Sequence, residues 1–127
     1  MLHILTVDDS KMARKRLLST LDTFNIPHKT YEEDDGVKAL KALEDSPINL
    51  LITDLEMPNM DGVELIKEVR KTNLSLNIIV ITTVANEQIK QLLKSDRFTY
   101  FMKKPIDTKI LETYLKKVQH QIGSKDA

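Results

Sequence analysis

Four short stretches of this sequence carry side chains whose types suit metal or phosphoryl chemistry. They are Asp8-Asp9, Asp54, Thr82 and Lys104-Pro105, and each follows a run rich in apolar residues. Carboxylates brought together repel one another by roughly 4 kcal/mol per pair at about 4 Å and an effective dielectric of about 20. A positive group must compensate them. Lys104 could neutralise one of these charges. A hard divalent cation such as Mg²⁺ could neutralise the rest, because it binds carboxylates and leaves room for a phosphoryl oxygen.

These side chains meet only if the fold brings the ends of several strands to one edge. Nearly continuous apolar runs are typical of strands that helices cover on both faces. Strands are predicted at Leu2 to Val7, His28 to Glu32, Asn49 to Thr53, Asn77 to Thr82 and Phe98 to Lys103. Between them the apolar residues recur at helical spacing. The alternation predicts an α/β fold, a flavodoxin-like doubly wound (βα)5 three-layer sandwich with an open parallel sheet.

The strand order decides which groups become neighbours. In the order 2-1-3-4-5, the ends of the first and third strands lie side by side, so Asp8, Asp9 and Asp54 are expected within a few ångströms of one another. Helix starts are predicted at Ser10, Asp35 and Asp61 as capping residues. We expect one domain over residues 1–122 and a flexible tail over 123–127.

Composition bounds the remaining possibilities. The chain has 127 residues, 19 basic and 19 acidic side chains and no cysteine, which suits a single domain without disulfides. The balanced charge argues against a dedicated nucleic-acid surface, and the charged runs at 14–16 and 32–35 are expected to be solvated. No secretory signal or membrane span is evident, so we expect a soluble, cytoplasmic protein.

Each candidate group also has an ordinary structural explanation. Asp8-Asp9 suits a turn and a helix cap, Thr82 is a common strand residue, and Asp54 could cap the turn that follows it. Four strand ends carrying mutually compatible groups nevertheless favour a functional site. The three histidines have no ligand spacing, and Met57 and Met60 are expected to pack the loop around Pro58.

At this point the sequence resembles a known family. Asp8-Asp9-Ser10, the stretch Asp-Leu-Glu-Met-Pro-Asn-Met-Asp-Gly from Asp54 to Gly62, Thr82 and Lys104-Pro105 are similar to the motifs of the receiver domain of two-component response regulators. The resemblance covers about residues 2 to 120. It implies the strand order 2-1-3-4-5, which a chemotaxis member of the family exemplifies.

The resemblance implies a role for each site residue. Asp54 would be the phosphoacceptor, taking a phosphoryl group from a phosphohistidine of a sensor kinase or phosphotransfer protein. Asp8, Asp9 and Asp54, with the backbone carbonyl of Glu56, would bind Mg²⁺. Lys104 would contact phosphoryl oxygens and keep Asp54 ionised.

Further implied features concern signal output. Thr82 would donate a hydrogen bond to the phosphoryl group, and Phe101 occupies the family's aromatic switch position, where we expect the ring to favour an inward orientation. The peptide bond between Lys104 and Pro105 is expected to be cis. A downstream protein is expected to bind the face formed by helix 4, strand 5 and helix 5.

Several identities remain open at the level of sequence. A stand-alone regulator of chemotaxis or phosphorelay type is favoured, with catalysis limited to its own phosphorylation and dephosphorylation. A receiver at the N-terminus of a longer regulator and a non-phosphorylated interaction module are alternatives. A flavodoxin-like cofactor binder lacks a phosphate cradle after the first strand, where Asp8-Asp9 would repel phosphate. A haloacid-dehalogenase-type phosphohydrolase would need Asp-x-Asp after that strand and a second domain.

Overall fold

Five strands alternate with five helices along the chain. The computed structural model describes residues 1–84 and 86–126. The strands are β1 (Leu2–Val7), β2 (His28–Glu33), β3 (Leu50–Thr53), β4 (Asn77–Thr82) and β5 (Thr99–Lys103). The helices are α1 (Lys11–Thr23), α2 (Gly36–Asp45), α3 (Gly62–Thr72), α4 (Glu87–Ser95) and α5 (Thr108–Asp126). Every predicted strand is present, with each end within one residue of its predicted position.

The strands form one parallel sheet in the order β2-β1-β3-β4-β5, which confirms the predicted order. The register pairs Val7 of β1 with Thr53 of β3, and Thr53 in turn with Val80 of β4. The carboxyl ends of β1 and β3 therefore lie side by side. The strand order reverses here, because β2 lies on one side of β1 and β3, β4 and β5 lie on the other. Open α/β sheets bind ligands at this position.

Two apolar cores hold the sheet between its helices. On one face, Leu2 and Ile4 of β1 pack with residues of α1 and α5. On the other face, Leu5 and Val7 pack with residues of α2, α3 and α4. Alternate side chains of one strand thus enter opposite cores, as the strand period of two requires. The result is the predicted three-layer sandwich.

Side-chain caps fix where the helices start. The predicted caps are confirmed: Ser10, Asp35 and Asp61 each accept a hydrogen bond from the backbone amide three residues later, at 3.1, 2.8 and 2.9 Å. Asn86 caps α4 in the same way at 2.9 Å. Asp107 accepts from the second and third amides after it at 3.0 and 3.1 Å. A cap satisfies amides that have no partner inside the helix.

The last helix, α5, extends through residue 126, and Ala127 lies outside the described residues. The flexibility expected of residues 123–127 stays a prediction. An isolated glycine such as Gly123 weakens a helix but does not end it, and no proline follows. No helix in the described part of the chain combines the length and the hydropathy needed to span a bilayer.

The two charged runs are only partly solvated. Lys15 and Arg16 are exposed, as predicted. The prediction is wrong for Arg14, whose side chain is 14% exposed and pairs with Glu32, and for Asp35, which is 7% exposed. Both residues are withdrawn from water because each binds backbone and side-chain groups near the carboxyl edge of the sheet.

Candidate functional site

The backbone places the predicted residues along one edge of the sheet. Each lies just beyond a strand, yet its amide continues the hydrogen bonding of that strand. The Asp8 amide donates to a carbonyl oxygen of β2 at 3.2 Å, and the Asp54 amide donates to one of β1 at 3.0 Å. The Lys104 amide donates to the carbonyl oxygen of Thr82 at 2.8 Å. The three functional side chains therefore start from rigid positions.

The Lys104 ammonium joins two carboxylates. Its Nζ lies 3.0 Å from Oδ2 of Asp8 and 2.9 Å from Oδ2 of Asp54. Burial disfavours the ammonium charge, but the hydrogen bonds that Lys104 donates to Asp54 and Asp8 outweigh burial and hold the pKa of Lys104 above its ordinary value. The ammonium is therefore charged and shared between the two acids, as the sequence predicts for one of the compensating positive groups.

Asp54 is held as an oriented carboxylate. Its Oδ1 accepts hydrogen bonds from the Leu55 amide at 2.6 Å and the Glu56 amide at 3.2 Å. Burial opposes ionisation of Asp54. Hydrogen bonds from Lys104, the Glu56 amide and Thr82, together with the Lys104 charge, outweigh burial and lower the pKa of Asp54. Oδ1 is engaged by the backbone, and Oδ2 is the oxygen on the Lys104 side.

The three acidic residues are not equally placed. Asp8 is fixed by Lys104 and by the Ser10 amide, which donates to its Oδ1 at 2.9 Å. Asp9 is exposed. Between residues 1 and 84 and between 86 and 126, no three acidic or histidine side chains are gathered as metal ligands. The structure thus brings Asp8 and Asp54 together but does not bring Asp9 to them.

The donor chemistry of this edge fits a hard divalent cation. Asp8 and Asp54 each place a carboxyl oxygen against the same Lys104 ammonium. Asp9 adds a third carboxylate from the next position in the chain. Carboxylate and carbonyl oxygens are the ligands that Mg²⁺ takes in proteins, so these residues suit that ion.

The loop after β3 is anchored at both ends. The Gly62 amide donates to the Leu55 carbonyl oxygen at 2.8 Å. A Cβ added at Gly62 would lie 2.3 Å from the backbone oxygen of Asp54, so the start of α3 packs directly against the Asp54 backbone. Asn59 adopts a positive φ of 68°, and its Nδ2 donates to Oδ2 of Asp35 at 3.3 Å. Glu56 lies exposed on this loop.

Two further features surround the site. Met57 and Met60 pack against the core on the α2, α3 and α4 face, which confirms their predicted role. The peptide bond between Lys104 and Pro105 is cis, also as predicted. The histidines are structural or solvent-facing, as predicted: His28 contacts the Ile26 carbonyl oxygen and Asp22, and His120 is exposed.

Thr82 and Phe101 occupy adjacent strands beside the site. Thr82 is fully buried at the end of β4, and its Oγ1 accepts a hydrogen bond from the Val84 amide at 3.3 Å. Phe101 pairs with Val80 across the sheet and is half-buried against the core below α4. The Tyr114 hydroxyl donates to the Phe101 carbonyl oxygen at 3.0 Å and ties β5 to α5.

A groove of about 800 Å³ opens beside the acidic edge. Met12, Lys15 and Arg16 of α1 line one part of it, and Pro105 and Ile106 line another. Asp54 and Lys104 also line this groove. The exposed Met12 offers an apolar contact at this entrance.

Sequence reasoning missed three residues that shape the site. Arg14 of α1 donates a hydrogen bond to the Asp8 backbone. Asn59 links the loop after β3 to Asp35 by a hydrogen bond, and Gly62 lets α3 approach Asp54. The motif from Asp54 to Gly62 contains two of them, but their contacts depend on the loop conformation. The sequence indicates nothing about the contacts of Arg14 beyond its position in the basic run at 14–16.

Known proteins resemble this chain in sequence and in structure. The family model for the response regulator receiver domain matches residues 4–116. The sensor protein EvgS of Escherichia coli is 37% identical over 124 residues, covering 96% of this chain and 10% of EvgS. The sensor histidine kinase RcsC of Salmonella typhimurium is 32% identical over 112 residues, covering 88% of this chain and 12% of RcsC.

A solved structure gives the same result. The chemotaxis protein CheY4 of Vibrio cholerae superposes with a TM-score of 0.79 at 29% identity, covering 93% of this chain and 98% of CheY4. The chain spans about an eighth or less of the length of the curated relatives named above. The matching family model covers nearly the whole sequence, including the motifs at the carboxyl edge of the sheet. The chain belongs to the response regulator receiver domain family of two-component signalling.

Proposed function

We propose that Asp54 accepts a phosphoryl group from a phosphohistidine of a sensor kinase or phosphotransfer protein, and that the resulting acyl phosphate switches a protein-binding face. Receiver domains are generally switches rather than enzymes acting on other substrates. Catalysis by this chain is accordingly limited to its own phosphorylation and dephosphorylation. The observation that carries the proposal is the Lys104 ammonium shared between Asp8 and Asp54.

The chemistry follows from how Asp54 is held. The two backbone amides on Oδ1 orient the carboxylate, and the lowered pKa keeps it ionised and nucleophilic at neutral pH. A carboxylate oxygen attacks phosphorus while the phosphorus–nitrogen bond of the phosphohistidine breaks. The imidazole leaves with the bonding electron pair and takes up a proton. Lys104, in contact with Oδ2, is placed to pair with phosphoryl oxygens as charge shifts in the transition state.

Receiver domains generally bind Mg²⁺ at the phosphorylation site. In this chain Asp8, Asp9 and Asp54, with the Glu56 backbone carbonyl, would hold that ion. When bound, the ion supplies charge neutralisation for the phosphoryl oxygens. Asp8 and Asp54 are already near one another because Lys104 holds them together.

The groove along α1 supports access by a protein donor. It leads to Asp54 and measures about 800 Å³, and it is flanked by the exposed Met12 and by basic side chains of α1. A phosphohistidine must approach Asp54 along such an opening because the ring is carried on another protein. We therefore place the donor against α1 and the segment after β5.

The proposed output lies on the face formed by α4, β5 and α5. A phosphoryl group on Asp54 adds acceptor oxygens that would draw the Thr82 hydroxyl toward them. Space vacated beside β4 would then let the Phe101 ring turn. The residues of this face that a partner would meet include Lys90, Lys94 and Lys103, which are exposed.

The cellular setting belongs to the same proposal. Sequences similar to this chain occur within the sensor histidine kinase RcsC, and the chemotaxis protein CheY4 has a similar structure. We place the chain in a chemotaxis-type or phosphorelay pathway in the cytoplasm, where it meets a phosphohistidine donor and a downstream protein. Capture of partners by the phosphorylated form, compared with the unphosphorylated form, identifies that downstream protein.

Phosphorylation is tested with a small-molecule donor. Wild-type protein incubated with acetyl phosphate and Mg²⁺ should gain the mass of one phosphoryl group, and chelation of Mg²⁺ should prevent the gain. Asp54→Asn should gain nothing, whereas Asp22→Asn, an exposed acid next to His28, should behave as wild type. A phosphorylated histidine phosphotransfer protein should give the same pattern. Equal phosphorylation of wild type and Asp54→Asn would contradict the assignment of the acceptor.

A further inference from the structure

The Arg14 guanidinium connects α1 to the turn that carries Asp8 and Asp9. Its Nη1 donates to the backbone carbonyl oxygen of Asp8, and its Nε donates to Oε1 of Glu32 in β2 at 3.0 Å. The Arg14 side chain is 14% exposed. A planar guanidinium with two fixed acceptors has a set orientation, which a flexible lysine ammonium does not reproduce.

The other polar atoms of Asp8 are fixed as well. Its amide donates to the Glu33 carbonyl oxygen at 3.2 Å. Its Oδ1 accepts from the Ser10 amide at 2.9 Å, and its Oδ2 contacts Lys104 at 3.0 Å. Arg14 holds the remaining atom, the carbonyl oxygen. This oxygen belongs to the peptide group between Asp8 and Asp9, so Arg14 fixes the plane of that peptide.

The orientation of Asp9 depends on the same peptide. The Asp9 side chain is exposed, and among the described residues it forms no hydrogen bond or ion pair that would orient it. The direction in which its carboxylate leaves the backbone is therefore set by the peptide group that precedes it. A change in that plane would move Asp9 relative to Asp8 and Asp54.

We infer that Arg14 is a positioning residue for the proposed Mg²⁺ site: it fixes the peptide between Asp8 and Asp9, and Glu32 orients it. This inference rests on the proposed function. Arg14 touches neither the phosphoryl group nor the ion in this arrangement. It acts on the metal ligands through the backbone, as partners behind metal ligands commonly do.

Electrostatics alone predicts the opposite effect. Arg14 carries a positive charge next to a site proposed for a cation, so removing that charge should strengthen Mg²⁺ binding if charge were its whole contribution. Loss of positioning should weaken binding instead. The sign of the change therefore separates the two roles.

The test is Mg²⁺ titration of the unphosphorylated protein by calorimetry. Arg14→Gln should weaken Mg²⁺ binding by about tenfold, which is the lower end of the cost usual for partners behind metal ligands. Arg14→Lys should also weaken Mg²⁺ binding, because it keeps the charge but loses the planar guanidinium with its two hydrogen bonds. Arg97→Gln is the matched control: it removes the same charge from an exposed position between α4 and β5, and its affinity should stay within about twofold of wild type.

A second measurement guards against a simple folding defect. Amide NMR spectra without metal should show Arg14→Gln folded, with shifts concentrated at Asp9 and Ser10, and Glu32→Gln should show a smaller version of the same pattern. Binding by Arg14→Gln as tight as wild type or tighter would overturn the positioning role and leave the proposed function intact. A wild-type chain that binds no Mg²⁺ would overturn the proposed metal site, and this inference with it.

Discussion

At the scale of single residues, Gly62 shows how closely the backbone around Asp54 is packed. A Cβ at this position would lie 2.3 Å from the Asp54 backbone oxygen and 2.8 Å from the Leu55 Cα, and both are main-chain atoms that cannot rotate away. Gly62→Ala should therefore displace Asp54 and cost about 1 to 3 kcal/mol in the free energy of unfolding. Phosphorylation by acetyl phosphate should slow as well, because the carboxylate moves relative to Lys104.

Gly123 provides the matched comparison. An added Cβ there has no atom within 4 Å, and the residue lies within α5. Gly123→Ala should leave phosphorylation unchanged and raise stability by up to about 1 kcal/mol, because alanine is the better helix former. Urea unfolding of both variants measures the two changes. Losses of similar size at Gly62 and Gly123 would show that the close approach at Gly62 is not what constrains it.

Individual site residues were predictable to different degrees. Asp8, Asp54 and Lys104 could be placed together because each follows a strand, and parallel strands bring their carboxyl ends to one edge. The exposed orientation of Asp9 could not be predicted, because the positions of these residues in the sequence do not determine the orientation of the peptide group between Asp8 and Asp9. Arg14 was missed because its acceptor Glu32 lies 18 positions away in another element.

At the scale of the elements, an ion pair holds α3, α4 and β5 together at the edge opposite the site. Arg70 at the end of α3 contacts Asp96 at the end of α4 through two bonds of 2.7 and 3.2 Å. Arg70 also donates to Thr99 of β5 at 3.2 Å. The two charged side chains are 14% and 11% exposed, so breaking the pair leaves a mostly buried charge unpaired.

The pair should contribute strongly to stability. Arg70→Met keeps the aliphatic stem but removes all of these bonds, and we expect a loss of about 2 to 3 kcal/mol in urea unfolding. Lys71→Met removes an exposed pair with Glu68 in the same helix and should change stability by about 0.5 kcal/mol or less. Comparable losses in the two variants would contradict a special role for the Arg70 pair.

The output face gives a second prediction at this scale. Thr82 is fully buried at the end of β4, and Phe101 is half-buried on the adjacent strand β5. A shift of Thr82 on phosphorylation should therefore change the position of the Phe101 ring. Thr82→Ala and Phe101→Ala should both still be phosphorylated at Asp54. In each, phosphorylation should no longer change hydrogen exchange in α4 and β5 as it does in wild type.

Thr83→Ala is the control, since Thr83 is the exposed neighbour of Thr82. It should retain the wild-type exchange response. If Thr82→Ala and Phe101→Ala also respond to phosphorylation as wild type does, the two residues are not coupled in this chain and Phe101 acts as an ordinary core residue of β5.

The elements themselves followed from the sequence more closely than their ends. All five strands were predicted, and three of them are nearly all apolar because they are buried on both faces, whereas β2 is mostly polar and only partly buried. The extent of α5 was not predicted, since Gly123 resembles a helix stop although the chain continues in helical conformation. Caps at Ser10, Asp35 and Asp61 were predicted because each precedes a segment of helical period.

At the scale of the whole molecule, perturbed ionisations bound the pH range of maximal stability. Burial opposes ionisation of Asp96, but the Arg70 and Thr99 hydrogen bonds outweigh it and lower its pKa below the ordinary 3.8. The pKa of Asp54 is also lowered below 3.8, and that of Lys104 is raised above 10.5. An acid with a lowered folded-state pKa stabilises the protein above its unfolded-state pKa, and this contribution is lost as the pH falls through the folded-state value.

The same linkage has the opposite direction for the lysine. A raised folded-state pKa of Lys104 stabilises the protein fully below 10.5, and this contribution is lost as the pH rises through the folded-state value. The contributions of Asp54, Asp96 and Lys104 should therefore all be present at neutral pH. They should decline below pH 3.8 and above pH 10.5, as measured by urea unfolding across the pH range.

Asp96→Asn should make the acid decline shallower, because the variant has no group to titrate at that position. Asp34 is the control: its hydrogen bond with Lys38 also lowers its pKa, but the Asp34 side chain is 51% exposed. Added salt should remove the Asp34 contribution and leave most of the Asp96 contribution, since screening acts mainly on solvent-exposed charges. An acid decline of the same slope in wild type and Asp96→Asn at high salt would show that the Arg70 pair does not govern stability at low pH.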